Sequence, residues 1–270
     1  MVNFGLLGPL RISNEGVTCA APKAPKVRQL LALLLFLANQ VVTIDWIIDE
    51  LWGSQPPRSA LVTVQTYVCH IRKLITRNDQ SGAAGKDMLV TVSSGYMLSV
   101  ERQQLDINQF RELHDRGRRL FDAGQVQEAA THLREALSLF RGAVLADLDA
   151  GEHLQPYKVR FEEDRASAHA LRIQADLALG HHRELIGELR ALTASRPLDE
   201  WAHARLMEAL SGAGRRSEAL DLYQSLYRML DRELGIAPSP ELQTLQREIL
   251  AIGQHGRKPV MEGTSGLPSG

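Results

Sequence analysis

A chain of 270 residues, 44% hydrophobic and 23% charged, has the balance of a folded protein with two ordinary domains or one large one. Its formal net charge of −1 conceals an asymmetry: residues 1–100 carry nine Lys+Arg against six Asp+Glu, and the remainder carries 22 against 26. Cys19 and Cys69 make neither a disulfide framework nor a CxxC metal or redox motif. The apolar run 30–38 is too short to span a bilayer and lacks a signal-peptide pattern, so a reduced cytoplasmic protein without membrane contact is predicted.

The chain opens with short strands. Val2–Leu7 stops at Gly8-Pro9, Leu10–Ile12 follows, and the turn Asn14-Glu15-Gly16 leads into Val17–Cys19. Lys26 begins a strong helix that runs to about Asn39. A second, shorter helix spans Ile44–Leu51, with Thr43 or Asp45 as its N-cap. Trp52-Gly53 ends it, Ser54-Gln55-Pro56-Pro57 is a turn, and Ser59 is placed to cap a third helix reaching Arg77. Gln80–Lys86 reads as a polar spacer. Leu89–Val92 and Tyr96–Val100 form a hairpin around Ser93-Ser94-Gly95. Strands, three helices and a hairpin is the order of a winged helix-turn-helix.

The third helix carries most of the functional information. Val64, Val68, Ile71 and Ile75 recur at helical spacing and form one apolar stripe. The opposite face presents Thr66, His70, Lys73 and Arg77, flanked by Thr63, Cys69 and Arg72. No Asp or Glu occurs from Leu51 to Asn78, whereas Arg58, Arg72, Lys73 and Arg77 do. Such a face can lie on a phosphate backbone and reach base edges. The same pattern also fits a solvated amphipathic helix that happens to be basic. Tyr67 lies nearer the apolar stripe and is expected to pack with its hydroxyl outside.

From Asp106 onward the chain reads as helices punctuated by glycine. Gly124 and Gly214 are each followed four residues later by Glu-Ala, Gly180 with Glu184 fits that register, and Gly180 and Gly214 are one 34-residue tetratricopeptide period apart. Ala129, Leu133 and Leu137 match Ala219, Tyr223 and Tyr227, with Pro197 and Trp201 where that repeat carries such residues. The interval from Gly124 to Gly180 is no whole number of repeats, so an ordinary helical bundle stays open beside an irregular repeat domain. Beyond Gly253 the composition predicts a disordered tail.

Motifs for catalysis are missing from the sequence. Gly82-Ala-Ala-Gly-Lys86 is too short for a phosphate loop and is followed by Asp87 where Ser or Thr must bind magnesium. His181-His182 has no nearby cysteine and reads as a turn. Asp147, Asp149 and Glu152 lack the spacing of a calcium loop. The expectation is no enzyme, no cofactor and no metal.

Several blocks, in order, resemble the Streptomyces antibiotic regulatory proteins, transcription activators of actinomycete secondary-metabolism clusters. They are Phe4-Gly-Leu-Leu-Gly-Pro-Leu10, Pro25-Lys-Val-Arg-Gln-Leu-Leu-Ala-Leu-Leu-Leu35, Ile48-Asp-Glu-Leu-Trp-Gly53, Thr63-Val-Gln-Thr-Tyr-Val-Cys-His-Ile-Arg-Lys-Leu74, Gly95-Tyr96 and Leu234-Gly-Ile-Ala-Pro-Ser-Pro-Glu-Leu242. The resemblance covers most of residues 2–252. It implies an α+β OmpR/PhoB-type winged helix-turn-helix over 1–102, an all-α tetratricopeptide-like bacterial transcriptional activation domain over 103–252, and the tail 253–270. Larger relatives append an ATPase module, for which no Walker motif is present here.

By this resemblance, Ser59–Arg77 is the recognition helix and Leu89–Val100 the wing. The turn Trp52–Pro57, with Trp52, Gly53, Ser54 and Gln55, faces the sigma subunit of RNA polymerase holoenzyme. Many such wings carry an arginine before Gly-Tyr; Ser93 and Ser94 stand here, so polar or backbone contacts are expected of the wing. Thr66 and His70, then Thr63 and Gln65, are the base-edge candidates. Arg72, Lys73, Arg77, Ser59, Ser93 and Lys23 or Lys26 are the phosphate candidates. The partners implied are double-stranded promoter DNA, polymerase and a second copy on tandem repeats, at the nucleoid. The rival reading is a helical-repeat scaffold binding a peptide or effector, its winged helix making only protein contacts.

Overall fold

The structure, a computed structural model, describes residues 2–14, 16–19, 21–78 and 87–251. The spacer 80–86 and the tail 253–270 lie outside the described residues. Contacts divide the chain into two compact units, Met1–Arg172 and Ile173–Gly270.

The first unit begins with an antiparallel sheet of β1 (Val2–Gly5), β2 (Arg11–Asn14) and β3 (Val17–Cys19), in that order. Phe4 pairs with Ile12 and both face the core. Pro25 opens α1 (Pro25–Phe36), where its missing N–H costs nothing. Leu30, Leu31, Ala32, Leu33, Leu34 and Leu35 are all 0% exposed. A helix apolar on every side is buried on every side, and α1 is the hub of this unit. Asn39, at a φ of 64°, turns the chain out of it, and its side-chain amide exchanges two hydrogen bonds with the backbone of Val100.

Next comes α2 (Ile44–Trp52), capped by Thr43, whose Oγ1 accepts from the Trp46 amide at 3.3 Å; Gly53 closes it at a φ of 55°. Helix α3 (Ala60–Asn78) follows and buries Ala60, Val64, Val68, Ile71 and Ile75. A second sheet joins β4 (Val42–Thr43), β5 (Leu89–Val92) and β6 (Gly95–Leu98) in the order β4-β6-β5. The strand β4 is too short to read from sequence. Gly95 is dictated by it: a Cβ there would stand 2.0 Å from the Val42 carbonyl oxygen.

The rest is helical, as expected. A 3-10 turn, Arg102–Gln104, leads into α4 (Asp106–Asp122), α5 (Val126–Ser138) and α6 (Gln155–Ala178). The second unit contains α7 (His182–Ser195), α8 (Glu200–Gly212), α9 (Arg216–Leu234) and α10 (Pro240–Ala251). The turn glycines Gly124, Gly180 and Gly214 take φ values of 75°, 80° and 81°, the left-handed region in which glycine ends helices without strain. The second unit's core is built from Leu185, Leu189, Met207, Leu210, Ala219, Leu226, Leu230, Leu242 and Ile249. Gly235, left-handed at 66°, caps α9, and Glu200 accepts from the Ser239 amide at 2.6 Å as α10 begins.

The irregular interval from Gly124 to Gly180 has a physical reason. Between α5 and α6 the stretch 139–154 is not helical and returns to the N-terminal segment. The Arg141 amide donates to the Leu7 carbonyl at 2.8 Å, and the Leu145 amide to the Gly8 carbonyl at 3.0 Å. Asp147 accepts from the Leu10 amide at 2.9 Å and pairs with Arg28 at 2.7 Å. Asp106, at the start of α4, accepts from the amides of Leu6 and Leu7 and from Arg141. Glu50 of α2 is 2% exposed and accepts from the amides of Gly151, His153 and Leu154 and from Gln29. One core runs through Leu6, Leu7, Leu34, Phe110, Leu133 and Phe161. Secondary structure changes character near residue 102, yet packing continues across it.

Candidate nucleic-acid interface

Helix α3 divides by face as its periodicity predicts. Val64, Val68, Ile71 and Ile75 are at most 1% exposed, and Gln65, Thr66, Cys69, His70, Lys73 and Arg77 are exposed on the other side. Thr63 is half-buried, Ser59 is exposed just before the helix, and Tyr67 is half-buried against Trp52, with ring centroids 6.5 Å apart. Burying five apolar side chains fixes the helix's rotation, so its cationic end and uncharged middle must face outward together.

Two of the phosphate candidates are engaged within the protein. Arg72 donates from Nε and Nη2 to the Leu89 carbonyl, at 3.0 and 2.8 Å, and from Nη2 to Thr91 Oγ1 at 2.8 Å. It ties α3 to the outer strand of the hairpin and is a positioning residue for the wing. Lys26 Nζ donates to the Leu51 carbonyl and to Gln29 Oε1, so it closes the end of α2. Their cationic side chains fit phosphate binding by type, but folding gives them nearer acceptors. Lys23 remains exposed, and its residue lines a small cavity of about 180 Å³ with Pro22, Ala24, Val27, His70 and Leu74. That cavity brings the entry to α1 beside the middle of α3.

The hydroxyls of the two base-edge threonines are engaged within the helix. Thr66 Oγ1 donates to the Val62 carbonyl and Thr63 Oγ1 to the Ser59 carbonyl, both at 2.9 Å. Their hydroxyl protons satisfy the helix backbone. Val62, which carried no functional reading, is 62% exposed on the same side as Thr66. Its position opposite the buried stripe was the available signal.

Comparison with known proteins places this arrangement. The "Transcriptional regulatory protein, C terminal" family matches residues 21–98, and the "Bacterial transcriptional activator domain" family matches residues 105–250. The regulatory protein DnrI of Streptomyces peucetius is 40% identical over 251 residues, which is 92% of each chain. The chain belongs to the Streptomyces antibiotic regulatory protein family. The regulatory protein AfsR of Streptomyces coelicolor is 38% identical over 250 residues, 92% of this chain but 24% of AfsR. The structure of Mycobacterium tuberculosis EmbR in complex with a low affinity phosphopeptide matches with a TM-score of 0.83 at 33% identity, covering 93% of this chain and 65% of EmbR.

As a member of this family of regulators, the chain is a DNA-binding regulatory protein and not an enzyme. Its wing is the β5–β6 hairpin, with Ser93 and Ser94 exposed at the tip and Gly95 and Tyr96 buried behind them. The Ser94 carbonyl accepts from the Ile44 amide at 3.1 Å, which ties the hairpin's turn to the start of α2. In the family's turn, Gly53, Ser54, Gln55, Pro56 and Pro57 are exposed, whereas Trp52 is half-buried against Tyr67. The accessible part of that turn is uncharged. No helix among the described residues is long and apolar enough to cross a membrane, and no described His, Cys, Asp and Glu cluster is arranged to hold a metal.

Proposed function

We propose that the protein is a sequence-specific activator of a secondary-metabolite (antibiotic) biosynthetic gene cluster. It binds tandem promoter repeats as two copies and recruits RNA polymerase through sigma, acting in the cytoplasm at the nucleoid. The observation that carries this reading is α3: an acid-free, exposed face opposite a fully buried stripe, clamped by Arg72 to a wing. Such a helix fits the width of the major groove, with Lys73 and Arg77 toward phosphates and residues 62–70 toward base edges. The mild positive charge of residues 1–100 supports weak binding by one copy, which a second copy on an adjacent repeat offsets. The exposed uncharged turn 53–57 supports a protein contact more than a DNA contact.

Footprinting with the full chain on the promoters beside its own gene tests the reading, with run-off transcription by purified holoenzyme on the same templates. Two adjacent protected copies of one short sequence, and transcripts that depend on the protein, are expected. Folded protein that protects no promoter leaves the winged helix to protein contacts and refutes the proposal.

A further inference from the structure

We infer that α3 recognises thymine C5-methyl groups through an apolar strip of Val62 and the Thr66 methyl, with Cys69 beside them, and not base hydrogen-bonding groups through its threonine hydroxyls. This rests on the DNA-binding reading above and deepens it. Val62, Thr66 and Cys69 stand at i, i+4 and i+7, one line along the helix, opposite the buried Val64, Val68, Ile71 and Ile75. A single exposed valine is ordinary on a protein surface. Here it is the first member of an uncharged strip whose second member has its polar group turned back.

The hydrogen bond from Thr66 Oγ1 to the Val62 carbonyl, at 2.9 Å, occupies the hydroxyl proton and leaves Cγ2 as the side chain's free end. Thr63 repeats the arrangement on Ser59. A hydroxyl held this way has no proton for guanine O6 or N7 or for thymine O4. In the major groove only thymine offers an apolar group to meet Val62 and Cγ2. His70 and Lys73, further along the same exposed face, supply the polar and cationic contacts. Thymines are therefore expected opposite the first half of α3, and polar readout opposite the second.

The test begins with duplexes selected from random sequence by the full chain. Each thymine in the selected site is then replaced singly by deoxyuridine, which removes the methyl and keeps every hydrogen-bonding group. The wild-type protein is expected to lose about fourfold in affinity at each contacted thymine, the value of one buried methyl. Val62→Ala is expected to abolish the difference between thymine and deoxyuridine at one position. Thr66→Val should bind the site as wild type does and keep its sensitivity, while Thr66→Ser should lose it. Because both positions are exposed, the variants are expected to fold, and circular dichroism checks that they do. Indifference to deoxyuridine at every position overturns the inference, as does loss of binding in Thr66→Val with retention in Thr66→Ser. If the folded chain selects no sequence at all, the DNA-binding reading has failed and this inference falls with it, an outcome distinct from a selected site that is blind to methyl groups.

Discussion

At the scale of single residues, neighbouring cations on α3 have different work. Lys73 is exposed, so Lys73→Ala should leave stability unchanged, weaken binding to all duplexes alike, and lower the slope of log affinity against log salt by about 0.9. A slope equal to wild type together with altered sequence preference would put Lys73 on a base. Arg72→Ala should instead lower folding stability by about 1–2 kcal/mol, because a charge-assisted tie to Leu89 and Thr91 is lost. Its effect on DNA affinity should arise through a misplaced wing, readable as faster proteolysis of the β5–β6 hairpin. Sequence type alone makes Arg72 and Lys73 equivalent. Only the packing of α3 against β5 separates them.

A buried imidazole gives a pH dependence at the same scale. His114 in α4 stacks on Phe110, with centroids 5.6 Å apart, and burial lowers its pKa below the ordinary 6.5. The fold thus prefers the neutral ring, while the unfolded chain takes up a proton near 6.5. Stability from this group is complete above that value and is lost as pH falls through the folded pKa. Urea midpoints measured from about pH 7.5 to about pH 5.5, either side of the ordinary imidazole range, should fall in wild type and fall less in His114→Gln. Equal slopes would show that His114 is not the group responsible.

At the scale of elements, legibility followed periodicity. The stripe of α3, the apolar run of α1 and the turn glycines each encode a local rule, and each element stands where its rule puts it. What could not be read is made of contacts distant in sequence: the two-residue strand β4, whose only mark is the glycine it presses upon, and the stretch 139–154, whose amides find acceptors near residues 6–10 and 50. The turn after α2 carries a prediction of its own. Gln55→Glu places a charge on an exposed segment without disturbing the Thr43 cap or the Trp52–Tyr67 stack. DNA affinity is expected to stay within about threefold, roughly 0.65 kcal/mol, while run-off transcription collapses. Parallel loss of both would make the turn a structural part of the winged helix and not a polymerase contact.

At the scale of the whole molecule, the question is which piece folds alone. Residues 1–100 contain the candidate DNA contacts and an apolar set of their own, which from sequence suggests a self-sufficient winged helix. The packing argues otherwise. Cutting at Val100 strips Leu6, Leu7 and Leu10 of the carboxylates that accept their amides, and leaves the buried Glu50 with Gln29 but without the three amides at Gly151, His153 and Leu154. The same cut opens the core that Leu6, Leu7 and Leu34 share with Phe110, Leu133 and Phe161, and each such side chain returned to water costs about 1.5–3 kcal/mol against a domain's whole margin of about 5–15 kcal/mol. The fragment 1–100 is therefore expected to be unfolded or molten, with weak DNA binding at best. A fragment ending at Ala178, where α6 stops, keeps every one of these partners and should unfold cooperatively. Glu50→Gln in the full chain, where the site stays buried, should also be strongly destabilising, since an amide offers one acceptor oxygen where two are used. Chemical unfolding of the two fragments, with gel shifts on one-repeat and two-repeat DNA, decides the matter. If 1–100 proves as stable as 1–178 and binds one repeat equally well, the contacts across residue 102 are incidental to the DNA-binding unit.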